Sequence, residues 1–341
     1  MDKLREKKFN LSCLTNYRSI FMGLAIISII IFHYTDDCRI YHYNFTGWIK
    51  YYNMFISSSG VDIFLLLSGF GLYYSFKKNN NVKEFYKKRF VKILIPYLVF
   101  CLPAIIWKHM ILGNDGILSV IKQFSYFSFF KSGETWFWYI FMICVCYFIF
   151  PYLFHYIDED HSDSRLLSII NFTLIMNIIL YVFYNKLYAN INIMTLRFFP
   201  FIFGIYIGKW SYQKKEISFY NCFVIIILSI LMILLRLSMK SLLVRIGVFS
   251  LAFGVCFLLT ILFERINKTK LYKVINKVFS KIGEYTLELY LTHVCVRTIL
   301  CSYDYLTCRV RYYLLVVAFS ILLSILLKNI CSFLSKRFLK A

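Results

Sequence analysis

The chain has 341 residues, 60% of them hydrophobic and 20% aromatic, with a mean hydropathy of +0.65. That is more apolar mass than a water-soluble fold can hide. The net charge of +22 comes in short bursts between apolar runs, Lys77 to Lys92, Arg265 to Lys281 and Lys336 to Lys340. This is the pattern of loops flanking membrane spans, not of one nucleic-acid-binding face. The eleven cysteines are odd in number and form no CxxC pair, so neither a disulfide framework nor a metal site is expected.

A spanning helix needs about 20 mostly apolar residues. Ten such runs follow in chain order, centred near residues 25, 66, 103, 145, 175, 204, 227, 252, 292 and 322. The first has a basic start but no small-residue cleavage site after it, and reads as an uncleaved helix. Between the second and third runs, VKEFYKKRFVKI (82–93) alternates basic and apolar residues at helical spacing. It reads as an interfacial helix on the cytoplasmic surface or as a solvated basic loop. The inside segments are the N-terminal tail, 77–92, 156–166, 209–216, 264–281 and the C-terminus. Basic residues outnumber those of the outside segments roughly two to one. The expectation is an all-α, polytopic transmembrane helical bundle of about ten spans. It forms a single domain over 1–341 in the cell (inner or plasma) membrane, with both termini cytoplasmic and no soluble domain after the last span.

Ionisable groups inside spans are costly and mark sites. Here they are His33, Asp62, Arg197, Glu288 and His293, with Ser68 as a polar neighbour. At a rise of 1.5 Å per residue, His33 and Asp62 each lie roughly 22 Å from the inner face, and Arg197 and His293 roughly 18 Å. Four residues from four runs thus share one level. A neutral imidazole can deprotonate an alcohol while a carboxylate orients it, and an arginine can steady an oxyanion. Asp36 and Asp37 share the helix face of His33, and Asp62 is a second possible orienter. Taken singly, each residue also has an ordinary structural reading. His33 can bond a neighbouring helix, Asp62 can cap a helix start after Ser57 to Gly60, Arg197 can snorkel, and His293 can sit at an interface.

Six segments, in order, resemble the acyltransferase 3 family of multi-span membrane enzymes. RSIFMGLAIISIIIFH (18–33) is similar to the family's opening helix ending in a histidine. GVDIFLLLSGFGL (60–72) is similar to its Gly-x-Asp…Ser-Gly-Phe segment, and KKRFVKILIPY (87–97) to its basic motif before a proline. TWFWYIFMICVCYFIFP (135–151), RFFPFIFGIYIGK (197–209) and IGEYTLELYLTH (282–293) resemble its later spans. The sequence departs from the pattern in three respects. Met22 stands where the family commonly has an arginine, with Arg18 one turn earlier. Lys92 replaces an arginine, and Ile143 and Cys144 replace a pair of glutamates.

The resemblance implies transfer of an acyl group, expected to be acetyl, from acyl-CoA (acetyl-CoA) to a hydroxyl of a cell-surface glycan or lipid-linked glycan acceptor. It implies His33 as the base, Asp62 or Asp36 as its orienter and Arg18 or Arg197 at the oxyanion. Lys87, Lys88, Arg89 and Lys92 are expected to bind the donor phosphates. Ser68, Trp136, Trp138, Tyr139, Glu288 and His293 are expected at the substrate, although an aromatic belt also explains the three rings. A transporter or flippase for a glycan or lipid precursor would use the same residue types, but would show internal repeats that the two halves lack. Expected partners are membrane lipid, acyl-CoA and the glycan, with no nucleic acid.

Overall fold

A computed structural model describes residues 8–40, 52, 59–160, 162–234, 242–301 and 309–340. The basic tail up to Lys7, and Ser57 and Ser58, lie outside the described residues. The chain is helical nearly throughout and forms two compact units. One comprises residues 1–75 and 200–286, the other residues 76–199 and 287–341.

The first unit opens with a two-stranded antiparallel ribbon, β1 (Lys8–Asn10) against β2 (Glu216–Ser218), pairing Phe9 with Ile217. The apolar count gave no sign of it. Asn10 ends β1 and caps the next turn, accepting from the Ser12 amide at 2.9 Å. Helix α1 (Leu14–Ile40) follows, then α2 (Gly60–Lys78), whose first turn carries Asp62 and whose last turn carries Lys77 and Lys78. Both signs complement the helix dipole.

The helix α9 (Phe198–Tyr212) packs on α2 with almost no side-chain layer between them. A Cβ on Gly204 would stand 2.1 Å from the Leu66 carbonyl oxygen, and one on Gly69 2.2 Å from that of Phe201. Gly204 and Gly208 form a GxxxG pair, the small-residue device by which membrane helices approach closely. Helices α10 (Phe219–Leu234) and α11 (Leu242–Ile266) form a neighbouring hairpin. The unit closes with α12 (Lys270–Gly283), which lies on α1 through Gly23 and Gly283. Added Cβ atoms there would meet the carbonyl oxygens of Phe279 and Ser19, each at 2.1 Å.

The second unit begins with α3 (Val82–Pro96), which runs on through π-helical and α-helical turns to Leu112 as one 31-residue helix. The 82–93 segment is thus the opening of a long apolar helix. Asn81 caps it, accepting from the Glu84 amide at 3.0 Å. Short helices α4 (Ile117–Phe124) and α5 (Phe127–Ser132) lead to α6 (Trp138–Asp158), α7 (Ser164–Phe183) and α8 (Asn185–Thr195). The last two are joined by a buried hydrogen bond from Thr195 Oγ1 to Asn177 Oδ1 at 2.7 Å. Helix α13 (Thr286–Cys301) and the 31-residue α14 (Val310–Lys340) complete the unit. Ile95, Leu327 and Cys331 are the buried centre where α14 packs on α3.

Among the described residues, seven helices are long and apolar enough to cross a membrane. Seven of the ten expected centres fall on them. The other three, near 66, 227 and 292, fall on α2, α10 and α13. Asp62, Lys77 and Lys78 dilute the apolar character of α2, while α10 and α13 have 16 residues each.

Candidate active site

In the first unit, α1 carries Arg18 and His33. The start of α2 abuts α1 at Gly60, where a Cβ would stand 2.6 Å from the Ala25 carbonyl oxygen and 2.7 Å from Ile29 Cγ1. His33 is one turn beyond Ile29, roughly 6 Å along the axis. Asp62 follows Gly60 by two residues and is buried, as are Ser68 on the same helix and Ser59 just before it, while His33 is half-buried. A histidine and a buried carboxylate therefore occur on two helices of one unit, close to a single crossing.

Arg18 reaches α2 further along. Its Nε donates to the Leu67 carbonyl at 3.1 Å, and the guanidinium lies across the bare Cα of Gly71. Of the other possible orienters, Asp36 is held by Arg39 at 2.7 Å, and Asp37 is buried. Lys209 opens the segment 209–216, which the charge count places inside. It is fully buried in the protein, with Nζ 5.7 Å from the Tyr206 ring centre.

The second unit holds the remaining expected residues. Arg197 is buried, donates from Nη1 to the Ile193 carbonyl at 2.8 Å, and lies 5.1 Å from the Trp138 ring centre. Trp138 touches Tyr139, and the Tyr139 ring meets that of Tyr290 edge-on at 5.2 Å. One turn on from Tyr290 is His293, fully buried, with Nε2 3.1 Å from the Tyr313 hydroxyl. Arg197 and His293 are thus connected through the aromatic start of α6. Trp136 donates its indole N–H to Thr298 Oγ1 and lies under Lys108 Nζ at 4.5 Å. Trp136, Trp138 and Tyr139 are each only 8% exposed, so they form no open stacking face within the unit. Glu288 is half-buried near the start of α13.

The four expected donor-binding cations lie on α3. Lys87, Lys88 and Lys92 are exposed, whereas Arg89 is half-buried with its guanidinium 5.7 Å from the Phe85 ring and 6.0 Å from that of Tyr147. Lys88 pairs with Glu84, and Lys87 donates to the Leu339 carbonyl at 3.4 Å. Arg89 and Lys92, three residues apart, share a helix face.

A further polar group escaped the sequence reading because it has no motif. Among the described residues, His109 Nε2, both amide atoms of Gln123 and Glu134 Oε2 are buried without a hydrogen-bond partner, and the Tyr97 and Tyr126 hydroxyls interact with each other. His109 Nδ1 meets Asp115 at 2.9 Å. Tyr97 stacks on Phe124 and Tyr126, with ring centres 5.6 and 6.0 Å away. Burial pushes the Tyr126 hydroxyl well above the ordinary phenol range.

A multi-pass helical membrane protein is what these apolar helices define, with ionisable side chains on α1 and α2 in the first unit and at Arg197 and on α13 in the second. The sequence profile of the acyltransferase 3 family, described as an acyltransferase domain, matches residues 22–329. The chain belongs to that family, and its activity is that of a membrane acyltransferase. No curated protein and no solved structure matches it.

Proposed function

We propose that the protein transfers an acyl group, acetyl in the simplest case, from acyl-CoA to a hydroxyl of a cell-surface or exopolysaccharide sugar at the cell membrane. The observation that carries this reading is the first unit's His33 and buried Asp62, on helices that meet at Gly60, in a chain of the acyltransferase 3 family.

His33 takes the acceptor's proton as the hydroxyl oxygen bonds to the thioester carbon. The C–S bond then breaks and the proton leaves with the coenzyme A thiol. Asp62 orients the imidazole, and Arg18 or Arg197 steadies the oxyanion. Lys87, Lys88, Arg89 and Lys92 bind the donor phosphates, with Arg89 supported by the rings of Phe85 and Tyr147. Ser68, Glu288 and His293 bind the acceptor. The contacts of Trp136, Trp138 and Tyr139 favour a part in holding Arg197 and α13.

The test is transfer of labelled acetyl from acetyl-CoA to polysaccharide by the purified protein in vesicles. His33→Ala is expected to lower the rate by about 100-fold or more. Full activity in that variant refutes the assigned base. Passage of glycan across the vesicle wall, with no acyl-CoA binding, assigns the protein to transport instead.

A further inference from the structure

Helix α12 divides into three faces along its 14 residues. Tyr272, Asn276, Phe279 and Gly283, spaced at helical intervals, turn toward α1; Tyr272 meets Tyr17 edge-on at 6.0 Å and Phe279 meets Gly23. Burial and the nearby Glu264 carboxylate together push the Tyr272 hydroxyl above its ordinary range, as a packed face requires. One residue before each of Tyr272 and Phe279 lie Leu271 and Val278, and Val274 stands between them. These three form a stripe that is 64%, 47% and 60% exposed in the same order. Lys270, Lys273, Lys277 and Lys281 make a second exposed stripe beside it. Among the described residues, only Lys281 of the four has a carboxylate within reach, Glu284 at 2.9 Å.

No soluble helix gains from an apolar stripe and a lysine stripe standing side by side in water. A helix lying in the surface of a bilayer does, because acyl chains cover the first and headgroups meet the second. The level is right as well. The glycine contacts hold α12 against α1 between Tyr17 and Gly23, where Arg18 ends the basic start of α1 and the apolar run begins. Flanking α12 are the long apolar α11, ending at Ile266, and α13, beginning at Thr286.

We propose that α12 is a lipid-binding surface helix. Leu271, Val274 and Val278 sit among acyl chains, and Lys270, Lys273, Lys277 and Lys281 bind anionic lipid headgroups. The charge of the lysine stripe selects anionic lipid over zwitterionic lipid as the occupant. Through Gly23 and Gly283 this lipid contact bears directly on α1.

The test uses the whole chain in nanodiscs of phosphatidylcholine alone and of phosphatidylcholine mixed with phosphatidylglycerol. The unfolding midpoint is expected to be higher in the mixed discs. The variant K270Q/K273Q/K277Q should lose at least half of that difference, while K122Q/K186Q/K214Q, which removes equal charge elsewhere, retains it. An undiminished difference in the first variant, or equal loss in both, overturns the proposal. So does a rise in phosphatidylcholine discs that appears only with coenzyme A, which would make the stripe a donor-phosphate site. In a second measurement, a nitroxide on Val274→Cys should collide with lipid-dissolved oxygen and avoid an aqueous nickel chelate, and one on Lys273→Cys the reverse. Equal access of nickel to both labels overturns the acyl-chain placement, as does shielding of the Val274→Cys label from both reagents, which would mean that protein covers the stripe.

Discussion

Arg18 occupies the space that any side chain on Gly71 would need. Its guanidinium carbon is 2.9 Å from the position of an added Cβ, and its Nε bonds the Leu67 carbonyl one turn before. The first two helices are therefore keyed together by a charged side chain seated on bare backbone. Met22 stands at the position where the resemblance places an arginine, and Arg18 lies one turn earlier.

Gly71→Ala is expected to dislodge the guanidinium and cost about 1.5–3 kcal/mol, the price of a broken hydrogen bond to a charged donor. Thermal unfolding in detergent measures it. Made in an Arg18→Met background, the same substitution should cost much less, since no guanidinium remains to be moved. Equal costs in the two backgrounds would show that Gly71 is needed for another reason.

Where α2 and α9 cross, the obstacle to a side chain is backbone. Gly204→Val should destabilise by about 3 kcal/mol, at the upper end of overpacking costs, because the Leu66 carbonyl stands 2.1 Å from the new Cβ. Gly208→Ala should cost less, its nearest obstacles being Tyr73 Cβ at 2.7 Å and the Phe70 oxygen at 3.0 Å. Ranking the two by detergent thermostability checks the crossing, and the reverse order would contradict it.

Gln123 is 1% exposed, and neither end of its amide is bonded among the described residues. Replacing it by leucine removes the desolvation cost and keeps the volume nearly unchanged. Gln123→Leu is therefore expected to stabilise the protein by about 1 kcal/mol, or at worst to leave it unchanged. A loss of more than about 1 kcal/mol in chemical denaturation would mean that the amide is doing structural service.

The cations of α3 should differ in their effect on the acyl-CoA KM. Lys88 is exposed and already paired with Glu84, while Arg89 is backed by two rings. Arg89→Ala is expected to raise KM about tenfold, and Lys88→Ala about twofold or less. Initial rates across a salt series should show the Arg89 effect shrinking as ionic strength rises. Equal effects would leave the rings without a part in donor binding.

The apolar runs made the long helices legible, because twenty consecutive apolar residues have few other fates. The runs near 66, 227 and 292 also fall on helices, α2, α10 and α13, of which α2 is diluted by charge and the other two have 16 described residues each; the β1–β2 ribbon is too short for a periodicity to show. Depth along a helix followed from the 1.5 Å rise, but rise carries no azimuth. Asp36 shares the face of His33 in sequence, yet Arg39 holds it. For the same reason the sequence did not show that Lys209 is buried against Tyr206. Residues 264–281 were counted for their charge as a loop, although apolar and lysine positions already alternate there at intervals of three and four. Partnerless atoms such as those of Gln123 are properties of packing, and no local pattern announces them.

The carbonyl contacts at Gly69 and Gly204 leave α2 and α9 no freedom to slide. A shift of one residue, about 1.5 Å, would carry Phe203 or Ile205 to the place where only glycine fits. The crossing works as a vernier, setting the height of Asp62 against the span that carries Lys209. Rotation about that pivot is the motion left open to the pair, so ligand-driven change in the first unit must come as a turn of helices and not as a stroke along them.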